Sequence, residues 1–264
     1  MIVVGVTTYN RSEIVGRAIS SALNFVEPLN GKVVMVDDAS TDDTRVRIAA
    51  MFTHEIALGR LLLVNHLTNQ GVTSAKNSAF EHATGANWVL FLDSDDELIV
   101  ESAHAVAQVL EANPDTPVVF FRCVDENNRF VGQRFLSDQT LSLARFATNT
   151  SYGEALVAIN KRLSEAPPFD GDLRGYEGLG CARRIRQFGP SILSTIVARR
   201  YDQSGNDRLS RPLNLLSRAT LLARGHMRYA SIVGPTINLR QRIKLWNKAA
   251  LYYAAGAVYA LFKP

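Results

Sequence analysis

The sequence predicts an α/β fold, a mostly parallel central sheet flanked by helices. In the first 125 residues, short runs rich in β-branched residues alternate with segments whose apolar residues recur at helical spacing, and the strands return roughly every 28 residues. A helix between two such strands forms a crossover connection, which makes the strands parallel. Apolar types make up 47% and charged types 20% of the 264 residues, which fits a globular chain and excludes collagen-like and disordered classes.

Individual elements follow from the same periodicities. We expect strands at 2–8, 32–36, 61–64, 87–92, 117–124, 156–160 and 191–200, and the segment 129–136 can pair with the strand before it. We expect helices at 11–25, 42–51, 72–83, 101–111, 175–188 and 213–222. Asn10 is the expected N-cap of the first helix, because Glu13 follows it three residues later.

Charge is unevenly distributed along the chain. Residues 1–199 contain 18 Lys and Arg against 23 Asp and Glu, whereas residues 200–264 contain 11 against 2. A cationic C-terminal quarter points to phosphate-bearing ligands or to an anionic membrane surface.

The last segment of the chain has a composition of its own. The uncharged stretch 249–262 is too short to span a bilayer, which takes about 20 residues. It suits a helix that packs on its own domain or on a second copy in a homodimer, or a helix that lies on a membrane surface. Four basic residues precede it on both sides of Trp246, namely Arg240, Arg242, Lys244 and Lys248.

The cysteines and the amino terminus bear on location. Two cysteines, Cys123 and Cys181, are too few for a disulfide scaffold or a four-cysteine zinc site, so we expect a reducing, cytoplasmic location. The first ten residues lack a basic region and a small-residue cleavage site, so we expect no signal peptide. The basic residues of the C-terminal quarter form no RNA- or DNA-binding motif, and we expect no nucleic-acid partner.

Polar side chains follow three of the predicted strands, at 7–10, 37–41 and 93–97. The carboxyl ends of parallel strands meet at one edge of a sheet, where α/β proteins bind their ligands. We therefore expect the three clusters to line a single crevice.

The sharpest of these clusters is 93–97, which places four carboxylates within five residues. Their mutual repulsion calls for a cation or for protons. Hard divalent ions such as Mg²⁺ bind one or two protein carboxylates together with water and substrate phosphates. A solvated acidic turn that begins a helix is the alternative, and the two companion clusters favour a ligand-binding role.

The other two clusters suit a nucleotide. Capping of the next helix by Ser40 or Thr41 would leave Asp38 free to hydrogen-bond a ring N–H or a ribose hydroxyl. Tyr9 offers a ring on which a base can stack. The turn after the first strand lacks G-x-G-x-x-G, and the chain lacks G-x-x-x-x-G-K-[ST], which argues against a Rossmann dinucleotide site and a P-loop.

Four segments in this order, TTYNR, VVMVDDASTDDT, NQGVTSAKNSAF and WVLFLDSDDEL, resemble the amino-terminal half of glycosyltransferase family 2. The resemblance covers residues 1–125 strongly and about 165–210 weakly. It implies the GT-A fold and a nucleotide-diphosphate sugar as donor. It further implies a domain over 1–210, in which 1–125 bind the nucleotide sugar and 126–210 bind the acceptor, followed by a basic helical extension over 211–264.

The resemblance also implies roles for individual residues. In the family's D-x-D signature, matched by DSDD, Asp93 approaches the nucleotide and Asp95 binds Mn²⁺ or Mg²⁺, with Asp96 as a competing ligand. Lys76 replaces the arginine usual in the A-R-N motif, which keeps the charge and loses the bidentate fork. The positions that hold the nucleoside, usually uridine, are matched by Thr7, Tyr9 and Asp38.

The weaker half of the resemblance concerns the acceptor site. Glu177 matches the first residue of a Glu-Asp pair and is the predicted general base, while Gly178 stands where the second acid is expected. Asp170 and Asp172 are the alternative bases, and a helix-start carboxylate with no catalytic role is the structural alternative for Glu177. Arg208 is a predicted phosphate contact, in the segment that matches the loop over the diphosphate.

Together these expectations describe a metal-dependent, inverting glycosyltransferase that uses a UDP-sugar and a glycan or lipid-linked acceptor. The expected process is the synthesis of cell-surface polysaccharide or lipopolysaccharide, in the cytoplasm or peripherally on the cytoplasmic face of the inner membrane. Two alternatives remain: a sugar-phosphate nucleotidyltransferase, and a non-catalytic nucleotide- or glycan-binding module.

Overall fold

The computed structural model of the chain describes residues 1–148, 153–202 and 218–262, with side chains as far as residue 259. The strands are β1 (Ile2–Thr8), β2 (Lys32–Asp37), β3 (Leu61–Asn65), β4 (Trp88–Asp93), β5 (Glu97–Leu98), β6 (Val118–Val124), β7 (Gln139–Leu141), β8 (Ala155–Asn160) and β9 (Ser191–Arg200). The helices are α1 (Val15–Val26), α2 (Thr44–Met51), α3 (Thr53–Ala57), α4 (Val72–His82), α5 (Ala103–Ala112), α6 (Leu143–Thr148), α7 (Glu177–Phe188), α8 (Ala219–Val233) and α9 (Leu239–Phe262).

The strands of the described residues form one sheet in the order β3-β2-β1-β4-β8-β6-β9-β5, with β7 beside β9. β1 pairs in parallel with β2 and β4, and β2 pairs in parallel with β3. β8 runs antiparallel between β4 and β6, and β9 is parallel to β6. The predicted α/β fold is confirmed. Because β8 lies between β4 and β6, the second half of the chain continues the same sheet.

Helices cover both faces of the sheet, because alternate residues of each strand point to opposite faces. On one face, Val4 of β1 belongs to a core with Ile19 of α1 and Val106 of α5. On the other face, Val3 belongs to a core with Phe80 of α4 and with residues of α7. The strands β1, β2 and β4 are therefore buried on both sides, which explains their nearly continuous apolar sequences.

The prediction that a helix begins at residue 11 under an Asn10 cap is wrong. α1 begins at Val15 and has no side-chain cap. Asn10 lies in the left-handed region with a φ of 52°, and its side-chain oxygen accepts a hydrogen bond from the backbone N–H of Thr41 at 2.7 Å. Its polar group therefore stabilises the contact between two loops rather than a helix end.

The segment 129–136 forms no strand, contrary to the pairing that its sequence allows. It makes an isolated bridge from Phe130 to Val124. Arg122 of β6 is buried, and its guanidinium donates hydrogen bonds to two carbonyls of this segment, at 2.8 and 3.2 Å. Those carbonyls are thus bound by a side chain instead of by a neighbouring strand.

The two C-terminal helices are attached to the body of the protein through α7. Of the predicted helix 213–222, residues 213–217 lie outside the described part, and α8 continues to Val233. The hydroxyl of Tyr176 lies 2.7 Å from Nδ1 of His226 on α8. A Cβ atom at Gly225 would approach the Tyr176 ring to 2.8 Å, so only glycine fits there.

None of the described helices has the length and apolarity needed to cross a bilayer.

Two glycines near the start of α7 differ in their surroundings, which gives a matched pair of substitutions. A Cβ at Gly180 would lie 2.8 Å from Cδ1 of Phe169, whereas a Cβ at Gly178 would meet nothing within 4 Å. Gly180→Ala is expected to lower the free energy of unfolding by about 1–3 kcal/mol through overpacking.

Gly178→Ala is the control and is expected to raise stability by about 0.5 kcal/mol, through helix propensity alone. Urea unfolding of both variants measures the difference. Equal effects of the two substitutions would contradict the tight contact between α7 and the segment before it.

Candidate functional site

Three polar clusters meet at the carboxyl edge of the parallel strands. In the strand registers, Thr7 of β1 lies opposite Asp93 of β4, and Thr8 lies opposite Asp37 of β2. The expectation that one crevice receives all three clusters therefore agrees with the sheet topology. Thr7 is buried at this edge, and Tyr9 is 44% exposed beside it.

The loops after β1 and β2 are held together by hydrogen bonds. The backbone N–H of Asn10 donates to Oγ of Ser40 at 2.9 Å, in addition to the contact between Asn10 and Thr41. The backbone N–H of Arg11 donates to Oγ1 of Thr44 at 3.1 Å. These contacts fix the position of the loop that carries Tyr9.

Asp38 is buried, and three groups of the following loop contact its carboxylate, which the sequence analysis expected to be free of contacts within the protein. One oxygen accepts the backbone N–H of Gln70 at 2.8 Å and lies 2.7 Å from Nδ1 of His66. The other accepts the backbone N–H of Gly71 at 2.7 Å. The carboxylate holds the loop that leads into α4, since it is the acceptor for three groups of that loop. A contact between Asp38 and a nucleoside stays a prediction.

Lys76 of α4 is the centre of the site. Its buried ammonium group lies 2.9 Å from Oδ1 of Asp93 and 3.1 Å from Oε1 of Glu177. Burial alone would lower the pKa of Lys76, but the negative charges of Asp93 and Glu177 outweigh it and raise the pKa above its ordinary value. A charged lysine thus joins a carboxylate of the first half of the chain to one of the second half.

The same geometry keeps Asp93 ionised. Burial would raise the pKa of Asp93, yet the charges of Lys76 and Arg199 hold it below its ordinary value. Both Asp93 Oδ1 and Glu177 Oε1 lie about 3 Å from one nitrogen, so these oxygens are at most about 6 Å apart. The two carboxylates therefore face the same small volume.

The neighbouring acids in the turn have different environments. Asp96 is buried, pairs with Nη1 of Arg199 at 3.0 Å, and accepts the backbone N–H of Asp202 at 2.9 Å. Burial raises the pKa of Asp96 to about 7, against the lowering effect of Arg199. Asp95 is half-buried, and burial together with the charge of Asp93 raises its pKa. The Asp96 carboxylate therefore binds groups inside the protein, whereas Asp95 lines a cavity.

That cavity has a volume of about 250 Å³, and four acidic residues and two arginines line it. Among the described residues, Asp95 makes no ion pair within 4 Å, whereas Asp96 is already paired with Arg199. A divalent ion needs one or two protein carboxylates and otherwise water and phosphate oxygens, so Asp95 is the acid of this turn that fits Mn²⁺ or Mg²⁺, whereas Asp93 is paired with Lys76 and does not line the cavity. The cavity is lined by Arg17, Asp95, Glu97, Glu126, Arg200, Tyr201 and Asp202.

Within the ranges that the structure describes, no group of three or more His, Cys, Asp and Glu side chains is arranged to hold a metal ion. The roles of Asp95 and Asp96 as metal ligands stay predictions. Arg208, the predicted phosphate contact, lies outside the described residues.

Arg199 is a site residue that the sequence analysis missed. It lies on β9, its guanidinium is buried, and it pairs with Asp96 and lies 3.9 Å from Asp93. Its Nε donates to Sγ of Cys123 at 3.1 Å. The sequence contains one indication of this role, a basic residue within the apolar strand 191–200. A basic residue is equally expected there if it only marks the end of the strand.

The three candidate bases have unequal partners. Asp172 is bound by Arg228 at 2.7 and 2.8 Å, and these hydrogen bonds lower its pKa. Asp170 pairs with Arg183 and also with Arg228. Glu177, the first residue of α7, pairs with Lys76 at the carboxyl edge. The geometry favours Glu177 over the two aspartates, because both aspartates bind arginines of α7 or α8 instead.

Comparisons with known proteins show the family and the fold of the chain. Residues 3–161 match the model of the family described as glycosyl transferase family 2. An uncharacterized glycosyltransferase of Haemophilus influenzae is 29% identical over 168 residues, which are 62% of this chain and 54% of the relative. The chain thus spans about half the length of that curated relative.

Solved structures agree over almost the whole chain. The S. aureus TarS 1–349 complex with UDP-GlcNAc has a TM-score of 0.64 at 18% identity and covers 98% of this chain and 83% of its own. A mannosyltransferase from Pyrobaculum calidifontis in complex with GDP-Man and Mn²⁺ has a TM-score of 0.62 at 18% identity, with coverage of 99% and 87%. These similarities establish the GT-A fold, and with the match over residues 3–161 they show that this chain belongs to glycosyl transferase family 2.

Proposed function

We propose that the protein transfers a sugar from a nucleotide-diphosphate donor, a UDP-sugar, to a hydroxyl of a glycan or lipid-linked acceptor, with inversion at the anomeric carbon. Family membership supports the reaction class. The observation that carries the proposal is the Lys76 bridge, in which one buried cation contacts both Asp93, the proposed donor-side acid, and Glu177, the proposed base.

Glu177 is the general base of the proposed reaction. A base must lie within hydrogen-bond reach of the proton that it takes, and Glu177 projects from the start of α7 into the volume that Asp93 also faces. Lys76 contacts Glu177 through a single hydrogen bond, which Nζ donates to Oε1. The other carboxylate oxygen can therefore accept the proton of an acceptor hydroxyl while Lys76 holds the side chain in place.

The donor lies along the carboxyl edge of β2, β1 and β4. The exposed ring of Tyr9 is the stacking platform for the base, and Thr7 and Asp38 shape the wall behind it. Mn²⁺ or Mg²⁺, held by Asp95 with Asp96 as the competing ligand, would offset the negative charge that the departing diphosphate gains, while Asp93 approaches the nucleotide. Arg208 is retained as a proposed phosphate contact. The bound UDP-GlcNAc and GDP-Man of the two relatives support a sugar nucleotide as ligand.

The wider role is part of the same proposal. We place the reaction in the synthesis of a cell-surface polysaccharide or lipopolysaccharide, in the cytoplasm or at the cytoplasmic face of the inner membrane. Both described cysteines are free and buried, which is compatible with a reducing compartment.

Incubation of the purified protein with UDP-, GDP- and dTDP-sugars and Mn²⁺ tests the reaction class. Release of nucleoside diphosphate, by transfer or by slow hydrolysis, is the expected product, with UDP-sugars giving the fastest release. A nucleotidyltransferase would instead form a sugar nucleotide from a nucleoside triphosphate and a sugar phosphate. A binding module would bind UDP and release no product, and either result would refute the proposal.

Glu177→Gln tests the base. Since a positioned base contributes on the order of 10²–10⁴-fold to rate, turnover should fall about a hundredfold or more while the Kd of UDP stays unchanged. The glutamine retains an oxygen that can accept the Lys76 hydrogen bond. Asp172→Asn is the matched control, because its carboxylate is occupied by Arg228 and its loss should change turnover far less. Turnover at the unsubstituted level in Glu177→Gln would move the base to Asp170 or Asp172.

Asp95→Asn tests the metal site, with Glu97→Gln as the control in the same cavity. Glu97 pairs with Arg17 at 3.3 Å and should be dispensable for the ion. The Asp95 variant should lose Mn²⁺-dependent activity, and the electron paramagnetic resonance signal of free Mn²⁺ should no longer fall when UDP and protein are added. Unchanged manganese dependence in the Asp95 variant would refute the assignment.

A further inference from the structure

The helix α9 carries positive charge that no acidic residue of the described ranges neutralises by an ion pair. Its sequence contains four basic residues and no Asp or Glu. On the neighbouring α8, by contrast, Arg224 and Arg228 are paired with Asp172. Within the described ranges, none of the four cations of α9 has an acidic partner within 4 Å. They are Arg240, Arg242, Lys244 and Lys248.

One side of α9 packs on α8. Buried or half-buried residues recur at helical spacing along this side, at positions 241, 245, 249, 252 and 256. Ala249 is 3% exposed, and a Cβ at Gly256 would lie 2.5 Å from Oγ1 of Thr220 on α8. This packing fixes which side of α9 faces away from the protein.

The outward side of α9 is apolar. Leu239, Ile243, Trp246 and Tyr253 are spaced by four, three and seven residues, which places them on one stripe of an α-helix. Their exposed fractions are 69%, 49%, 47% and 65%. Large exposed apolar side chains in a row, rather than scattered singly, mark an interaction surface.

Basic residues lie on both sides of this stripe. At 100° per residue, Arg240 lies about 100° round the helix from Leu239 on one flank and Lys244 about 140°, whereas Lys248, at about 180°, lies on the far side of the helix. Arg242 borders the stripe on the other flank. An apolar stripe with Trp and Tyr, bordered by Lys and Arg, is the pattern of a helix that lies in the plane of a lipid interface. The 24 residues of α9 span about 36 Å along that plane.

We infer that α9 docks the protein on an anionic lipid surface, with Trp246 inserted among the acyl chains and with Arg240, Arg242 and Lys244 at the phosphate groups. Charge decides between a lipid surface and a second copy of the chain. Two α9 stripes facing each other would bring these three cations of each helix together with no acid from either helix, whereas anionic headgroups neutralise them. The inference does not depend on glycosyl transfer.

Docking through α9 would orient the candidate site, because α9 is connected to it by direct contacts. α9 packs on α8, and His226 of α8 contacts Tyr176, the residue before Glu177. Tyr252 of α9 stacks on the same His226 ring, with centroids 5.3 Å apart. A lipid surface under α9 would therefore be held at a fixed position relative to the start of α7.

Tryptophan fluorescence of the full chain tests the inference. Trp88 is 3% exposed and Trp246 is 47% exposed, so a change of environment at α9 is reported by Trp246. Vesicles of phosphatidylglycerol and phosphatidylcholine in equal parts should shift its emission to the blue, and vesicles of phosphatidylcholine alone should not. The shift should weaken when NaCl is raised from about 50 to 500 mM, because salt screens the surface charge.

Charge variants give the matched comparison. The double variant Arg240→Gln, Lys244→Gln should reduce partitioning into the mixed vesicles about 30-fold. The control Lys32→Gln, Arg162→Gln removes the same charge from exposed positions away from α9 and should change partitioning less than about twofold. Both pairs lie on the surface, and circular dichroism checks that the variants fold.

Three results would overturn the inference. One is the absence of a blue shift with the mixed vesicles. Another is an equal loss of partitioning in both double variants, which would make the attraction nonspecific. The third is a dimer in lipid-free sedimentation velocity that Trp246→Ala dissociates, which would assign the stripe to a second copy.

Discussion

The organisation of the site depends on one buried cation. Lys76 is removed from water, and burial of an ammonium group is tolerated only when carboxylates compensate for the lost hydration. Asp93 and Glu177 supply that compensation at 2.9 and 3.1 Å. Because one carboxylate ends β4 and the other begins α7, the same electrostatic requirement joins two parts of the chain that are 84 positions apart.

The sheet supplies the framework for this contact. β8 enters antiparallel beside β4, so that the second half of the chain continues the sheet begun by the first. The chain then returns over the face that carries α4, where the side-chain amide of Asn77 donates to the carbonyl of Phe169 at 2.8 Å. Gly180 allows α7 to lie close to that segment. Glu177 reaches Lys76 because the segment before α7 is held on α4 by the two hydrogen bonds between Asn77 and Phe169.

Much of the fold was predictable, because local periodicity determines local structure. The strand at 191–200 and the alternation of strands and helices up to residue 124 agree with the structure within a few residues. What sequence reasoning missed depends on contacts between distant positions. The pairing of Arg199 with Asp96, the engagement of Asp38 by the loop before α4, and the insertion of β8 leave no local pattern. Asn10 has the residue type of a helix cap, but tertiary contacts with Thr41 take its side chain.

The sequence therefore predicts the edge of the sheet at which the candidate site lies. It does not predict that Lys76 pairs there with Asp93 and Glu177. A crystal structure of the protein with UDP and Mn²⁺ tests the central claim most directly. The account predicts an ion on Asp95, the diphosphate beside Asp93, and Lys76 still between Asp93 and Glu177. A ligand bound elsewhere, with Asp93 and Asp95 pointing away from it, would contradict the account.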